Sequence, residues 1–234
     1  MVNLIPLRAL CLLLCLLGWP LSGAAATPQR IISLTPHLTE LLYDIGAGDR
    51  IVATDDASDF PPEVAPLPRV ANYRSINLEA LLAQKPDLVV AWRSAQSRML
   101  APVEKLGIPV FYSEPTDFAS LADEMRSLGR LLGTRQKADQ QADAYLARLN
   151  ALKQRYGKPK PVSVFYQLWY PPLTSVNDST WPGHAIRLCG GRNIMADASS
   201  PYPQVGLEQV IKANPGLILA GSRDPAVLAH WRQW

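Results

Sequence analysis

YRSINLEALLAQKPDLVVA, residues 73–91, recurs in outline as YPQVGLEQVIKANPGLILA, residues 202–220. Tyr73 becomes Tyr202, Glu79 becomes Glu208 and Pro86 becomes Pro215, each at an offset of 129 residues. In both copies a Leu-Glu pair opens an apolar pattern at helical spacing, and a proline and a short apolar run follow. Pro86 disfavours helical geometry in the residue before it, so the first helix ends by Lys85. The run DLVVAW is short, continuous and apolar, as buried strands of a parallel sheet are, and GLILA is the matching apolar run. Helix-proline-strand units are common and chance could match two of them. The shared order, the constant spacing and a second matching pair, LYDIGAGDRIVA (42–53) against WPGHAIRLCGGRNIMA (181–196), favour an internal duplication.

Working outward, RIISL (30–34), RIVA (50–53), DLVVAW (87–92) and IPVFY (108–112) read as strands alternating with helical patterns. That alternation predicts a parallel sheet covered by helices. From Ser120 to Tyr156 no strand signal appears, and the amphipathic pattern predicts one long helix, or two in tandem. PKPVSVFYQLW then opens a second α/β region. The expected fold is therefore α/β, with two similar lobes: 27–118, a linking helix over 119–158, and 159–234. Adding 129 to IPVFY puts its second copy at 237–241, beyond Trp234, so the second lobe is expected to be truncated.

Residues 1–26 carry Arg8 as their one charge, then ALCLLLCLLGWPL and the small residues SGAAA. This is the pattern of a secretory signal peptide cleaved after Ala26, which predicts an exported, soluble chain. Removal of Arg8 takes the net charge from +3 to +2, and no Lys/Arg-rich block suggests nucleic acid as a partner. Cys189 is the single cysteine beyond the leader, an odd number for an oxidising compartment.

Signals for catalysis are poor. His37, His184 and His230 form no closely spaced metal pair, and no P-loop, Gly-x-Ser-x-Gly or dinucleotide fingerprint is present. The loop DDASD (55–59) lacks the Gly and terminal Glu of a calcium loop and reads as a solvated turn. Aromatic residues carry more information. Phe60, Tyr73 and Trp92 fall at strand ends of the first lobe, and Trp169, Tyr170 and Tyr202 at comparable places in the second. Open α/β sheets bind ligands at the carboxyl ends of their strands. Two such ends facing each other form a cleft walled by flat rings, suited to a large planar ligand, although each ring alone also fits a half-buried structural role.

RIISLTPHLTELLYDIGAGDRIVA, SDFPP, NLEALLAQKPDLVVAW, LCGGRNI and PYPQVGLEQVIKANPGLIL, taken in order, resemble the periplasmic cobalamin-binding proteins of ABC importers, from about Arg30 onward. The resemblance implies two Rossmann-like lobes joined by a rigid helix, with cobalamin carried between them as ligand rather than cofactor. It implies a monomer that meets a permease dimer in the inner membrane. It places ligand contacts at Tyr73, Trp92 and Tyr202, with Phe60 nearby and Ala57 where relatives often carry an aromatic. His37, at the start of the first helix, is either a polar residue at a cap or a group that reaches the ligand. Glu79 and Glu208 match the residues that dock to arginines of the two permease subunits; Glu in a first helical turn is also favourable against the dipole. The family's second cysteine, the implied partner of Cys189, and its last ligand-contacting loop lie beyond Trp234. Two alternatives stay open: a haem- or ferric-siderophore-binding protein of the same fold, and a secreted metal-dependent hydrolase using Asp55, Asp56, Asp59 and His37.

Overall fold

The computed structural model describes residues 26–157, 160–222 and 226–233; apart from Ala26, the expected leader lies outside them. In the first lobe β1 (Ile31–Ser33) leads into α1 (Pro36–Asp44), followed by β2 (Ile51–Asp55), β3 (Arg69–Ala71), α2 (Leu78–Ala83), β4 (Leu88–Trp92), α3 (Arg93–Lys105) and β5 (Val110–Ser113). The strands form one parallel sheet in the order β3-β2-β1-β4-β5. Successive side chains on a strand point to opposite faces. Accordingly Ile31, Leu88 and Val90 enter one core with Leu38, Leu42 and Met125, while Ile32, Val89 and Ala91 enter another with Leu81, Leu100 and Val103. Both faces are covered, which is why these strands read as continuous apolar runs. β3 escapes the sequence pattern because it is three residues at the sheet edge behind Pro68.

The span expected as a linking helix holds two helices, α4 (Phe118–Leu131) and α5 (Arg135–Tyr156). Gly133, at φ 68°, turns the chain between them. Asp117 starts α4 with a reciprocal cap: its carboxylate accepts from the Ser120 N–H at 2.7 Å, and its own N–H donates to the Ser120 hydroxyl at 2.9 Å. α4 packs into the first lobe through Ala122, Met125 and Leu128. It also lies against α5, where a Cβ on Gly129 would stand 2.2 Å from that of Ala138, so only glycine permits the approach. The passage to the second lobe thus falls to α5 alone, about 33 Å of helix at 1.5 Å per residue.

The second lobe comprises β6 (Val162–Gln167), α6 (Trp181–Leu188), β7 (Gly191–Asn193), α7 (Leu207–Ala213), β8 (Leu217–Ala220) and α8 (Ala226–Ala229). Its described strands are parallel, in the order β7-β6-β8. This repeats β2-β1-β4, with the lobe's first strand in the middle. The duplication extends to the backbone: Lys85 at φ 49° and Asn214 at φ 43°, one residue before Pro86 and Pro215, both turn left-handed after their helices. The lobes also touch directly. The Phe118 and Trp181 rings meet edge-on at 5.4 Å. Arg187 donates to His184 Nδ1, which leaves the proton on Nε2 to be donated to the Thr116 carbonyl at 2.9 Å.

Candidate functional site

A cavity of about 650 Å³ opens at the carboxyl ends of the first lobe's strands, where parallel α/β sheets hold their ligands. Its walls are Leu34 and Thr35 beyond β1, Asp55 to Ala57 at the end of β2, Asn72 to Arg74 beyond β3, and Trp92 at the end of β4. Pro36 and His37 of α1, with Ala95 and Gln96 of α3, complete it. Two wall segments are tied together by Gln96, whose amide donates to the Leu34 carbonyl at 2.8 Å and accepts from the Trp92 N–H at 2.9 Å.

The sequence-derived candidates divide. Tyr73, Trp92 and His37 line this cavity, and Trp92 meets the His37 ring edge-on at 5.9 Å. Tyr73 carries the Arg74 guanidinium over one face, 4.9 Å from the ring centre. Phe60 and Tyr202 are exposed but are not among the lining residues. Tyr202 sits on a second-lobe loop beside Pro203 and Gln204, with Gln204 bridged to Thr174, and Thr174 in turn to Trp169. That arrangement gathers the exposed rings of Trp169 and Tyr202 onto neighbouring loops.

His37 and Trp92 also border a second cavity of about 510 Å³. It runs between α1, α4 and α5, and Trp181 from the second lobe borders it. Sequence reasoning passed over Trp181. The available signal was its place in the duplication, at the start of the helix that repeats α1.

The DDASD loop is not a solvated turn throughout. Asp55 is buried; one carboxylate oxygen accepts from the Ser58 hydroxyl at 2.5 Å and the other from the Ala57 N–H at 3.1 Å. Arg69 fastens the loop from beneath, donating to the carbonyls of Asp55 (3.0 Å), Ser58 (2.7 Å) and Val64 (3.3 Å) and to the Thr54 hydroxyl. Ser58 continues through Thr39 to Ser33. The hydrolase alternative requires Asp55, Asp59 and His37 to converge on a cation. Asp55 is instead spent on its own loop and Asp59 is exposed on the loop surface; among the described residues no group of three His, Cys, Asp or Glu side chains could hold a metal.

His37 is open on its cleft side and walled by Trp92 on another. Desolvation holds its imidazole below the usual 6.5, against a weaker opposing pull from the Asp55 carboxylate. The unfolded chain therefore takes up a proton on His37 before the folded one does. The associated stability is intact above about pH 6.5 and is lost as the pH falls through that value towards the depressed folded pKa. Denaturant midpoints measured between about pH 7 and pH 5 are expected to fall less for His37→Gln than for the parent. Equal losses would contradict this account of the imidazole.

Glu79 and Glu208 occupy first-turn positions of α2 and α7. Both are exposed, and neither joins an ion pair among the described residues. Asn77 caps α2 by accepting from the Ala80 N–H, whereas Gly206 offers α7 no side-chain cap. Cys189 follows α6 as a free, exposed thiol.

A family model described as periplasmic binding protein matches residues 31–230. The vitamin B12-binding protein of Vibrio campbellii is 36% identical over 229 residues, covering 97% of this chain and 83% of that protein. The crystal structure of the periplasmic vitamin B12 binding protein BtuF of Vibrio cholerae superposes with a TM-score of 0.77 at 37% identity, over 89% of this chain and 82% of the other. The periplasmic heme binding protein HutB of the same organism shares the fold at a TM-score of 0.76 and 24% identity, over 86% of this chain and 79% of its own. With its two parallel-sheeted lobes, the cavity at the strand ends of the first and a family match over most of its length, the chain belongs to the periplasmic binding proteins.

Proposed function

We propose that this protein captures cobalamin in the cleft between its lobes and delivers it to an ABC importer. The observation that carries the proposal is the ring-walled cavity at the strand ends, in a chain that shares more than a third of its residues with proteins named for vitamin B12 binding. Its volume of about 650 Å³ lies within the range of about 300–1,000 Å³ usual for small-molecule sites. Trp92 and Tyr73 offer flat apolar faces to a macrocycle, and Tyr202 and Phe60 contact it from the second lobe and the rim. Binding, not covalent chemistry, is the task of such a site. The chain is exported by its leader, cut near Ala26, and works in the periplasm as a monomer. Glu79 and Glu208 face the permease dimer.

Calorimetric titration with cyanocobalamin, with haemin and a ferric siderophore in parallel, tests the proposal. A saturating one-to-one isotherm with cyanocobalamin alone is the expected result. Tight haemin binding with cyanocobalamin silent would overturn it.

A further inference from the structure

We infer that Arg74 recognises the anionic phosphodiester in the nucleotide loop of the ligand, and so distinguishes a complete cobalamin from a corrinoid that lacks the loop. The inference rests on the proposed function, with cobalamin as the occupant. Arg74 is exposed and lines the first-lobe cavity. Among the lining residues it carries the one full positive charge. Two other arginines at this end of the sheet are already committed. Arg69 donates to the carbonyls of Asp55, Ser58 and Val64, and Arg93 pairs with Glu114 at 3.7 Å while lying over the Tyr112 ring. The Arg74 side chain has no ion pair and no hydrogen bond among the described residues. It rests over the Tyr73 ring, a contact made by its charge rather than by its N–H donors. Its backbone is fixed by a tight turn beyond β3: the Asn72 side-chain oxygen accepts from the N–H of Arg74 at 2.8 Å and of Ser75 at 3.0 Å, and the Asn72 N–H donates to the Ser75 carbonyl at 2.9 Å.

The charges on the wall match those of the ligand. In cyanocobalamin the cobalt–corrin unit is positive, the rim amides are neutral and the phosphodiester is the single anion. In the cavity the negative side chains, Asp55 and Asp56, stand at the end of β2, and Arg74 stands beyond β3, the strand next to it. A phosphodiester placed against the exposed Asp56 meets a like charge. Placed against Arg74 it meets a planar fork of donors that fits two phosphate oxygens at once. Because Tyr73 already holds the guanidinium, less side-chain freedom is lost when the anion arrives. The wall thus sets which end of the ligand lies over the β3 turn.

The test titrates cyanocobalamin and cobinamide, a corrinoid without the nucleotide loop, into the parent, Arg74→Gln and Arg74→Lys. Arg74→Gln is expected to weaken cyanocobalamin by about 5- to 20-fold, the scale of a charge-assisted hydrogen bond at a partly exposed site. Its affinity for cobinamide should stay within about 2-fold of the parent's. Arg74→Lys keeps the charge but not the fork, and should bind cyanocobalamin between the other two. If Arg74→Gln weakens both corrinoids alike, the arginine acts by placing Tyr73 and the assignment is refuted, while cobalamin binding stands. The same holds if Arg74→Gln changes neither, or if Arg74→Lys loses as much as Arg74→Gln. A parent that takes haemin and not cyanocobalamin overturns the choice of ligand, and the role of Arg74 with it.

Discussion

Trp92→Ala is expected to weaken cobalamin binding by about 30- to 150-fold, with the fold preserved. Trp92 is the last residue of β4, paired with Ser113 of β5, and its N–H is held by Gln96. Those are backbone bonds, which alanine keeps. The side chain is 42% exposed and borders both cavities, so its ring is available where the residues before it in β4 are sealed in the core. A tryptophan side chain presents up to about 250 Å², of which roughly 100 Å² is open here and about half faces a flat ligand. At about 25 cal/mol per Å² that area contributes about 1.3 kcal/mol, and stacking adds about 0.5–1.5 kcal/mol. The total of about 2–3 kcal/mol sets the expected loss. Trp92→Phe should recover most of it. Tyr73→Ala should cost less, since Arg74 already covers one face of that ring. Phe60→Ala should cost least, because Phe60 does not line the cavity. Unchanged affinity in Trp92→Ala would place the ligand away from these strand ends.

These residues also mark where sequence patterns carry structural information and where they stop. The duplication is written in local terms, as helix spacing, proline and apolar run, and the two copies share strand order and the left-handed turns at Lys85 and Asn214. Tyr73 and Trp92 line the cavity, Trp92 at the end of an apolar run that announces its strand and Tyr73 at a position marked by the duplication. Phe60 and Tyr202 sit on loops, whose paths depend on packing that no periodicity encodes. The interior role of Asp55 was hidden for a related reason. Its charge suggested solvent, and its partners Ser58 and Ala57 look like ordinary turn residues until Arg69, on a strand too short to recognise, draws the loop inward. The division of 119–158 into two helices turns on Gly133, one residue in an otherwise unbroken amphipathic pattern.

Reversing both repeated glutamates, Glu79→Lys with Glu208→Lys, is expected to weaken docking to the importer by on the order of 10²–10³-fold while cobalamin affinity stays within about 2-fold of the parent. Each glutamate stands six residues beyond a tyrosine of the duplicated stretch, in the first turn of a short helix, outside the residues that line either cavity. Both are exposed and unpaired among the described residues, so their charges are available to a partner. Under the proposed function, a protein with an internal repeat that meets a permease dimer should present the same charge at both contacts. An exposed ion pair is worth about 0–1 kcal/mol, so either single alanine change should weaken docking modestly and the double change more. Reversal sets like charges against each other at both seats, which raises the cost to about 1.5–2 kcal/mol per site. Added salt should weaken the parent complex as the screening length falls below about 10 Å, and should narrow the gap between parent and reversed protein. Purified importer in nanodiscs, with association measured alongside cyanocobalamin titration, separates the two effects. A doubly reversed protein that docks normally but no longer holds cobalamin would move both glutamates from the docking face to the cleft, and with them the explanation of why Tyr, Leu-Glu and Pro occur twice.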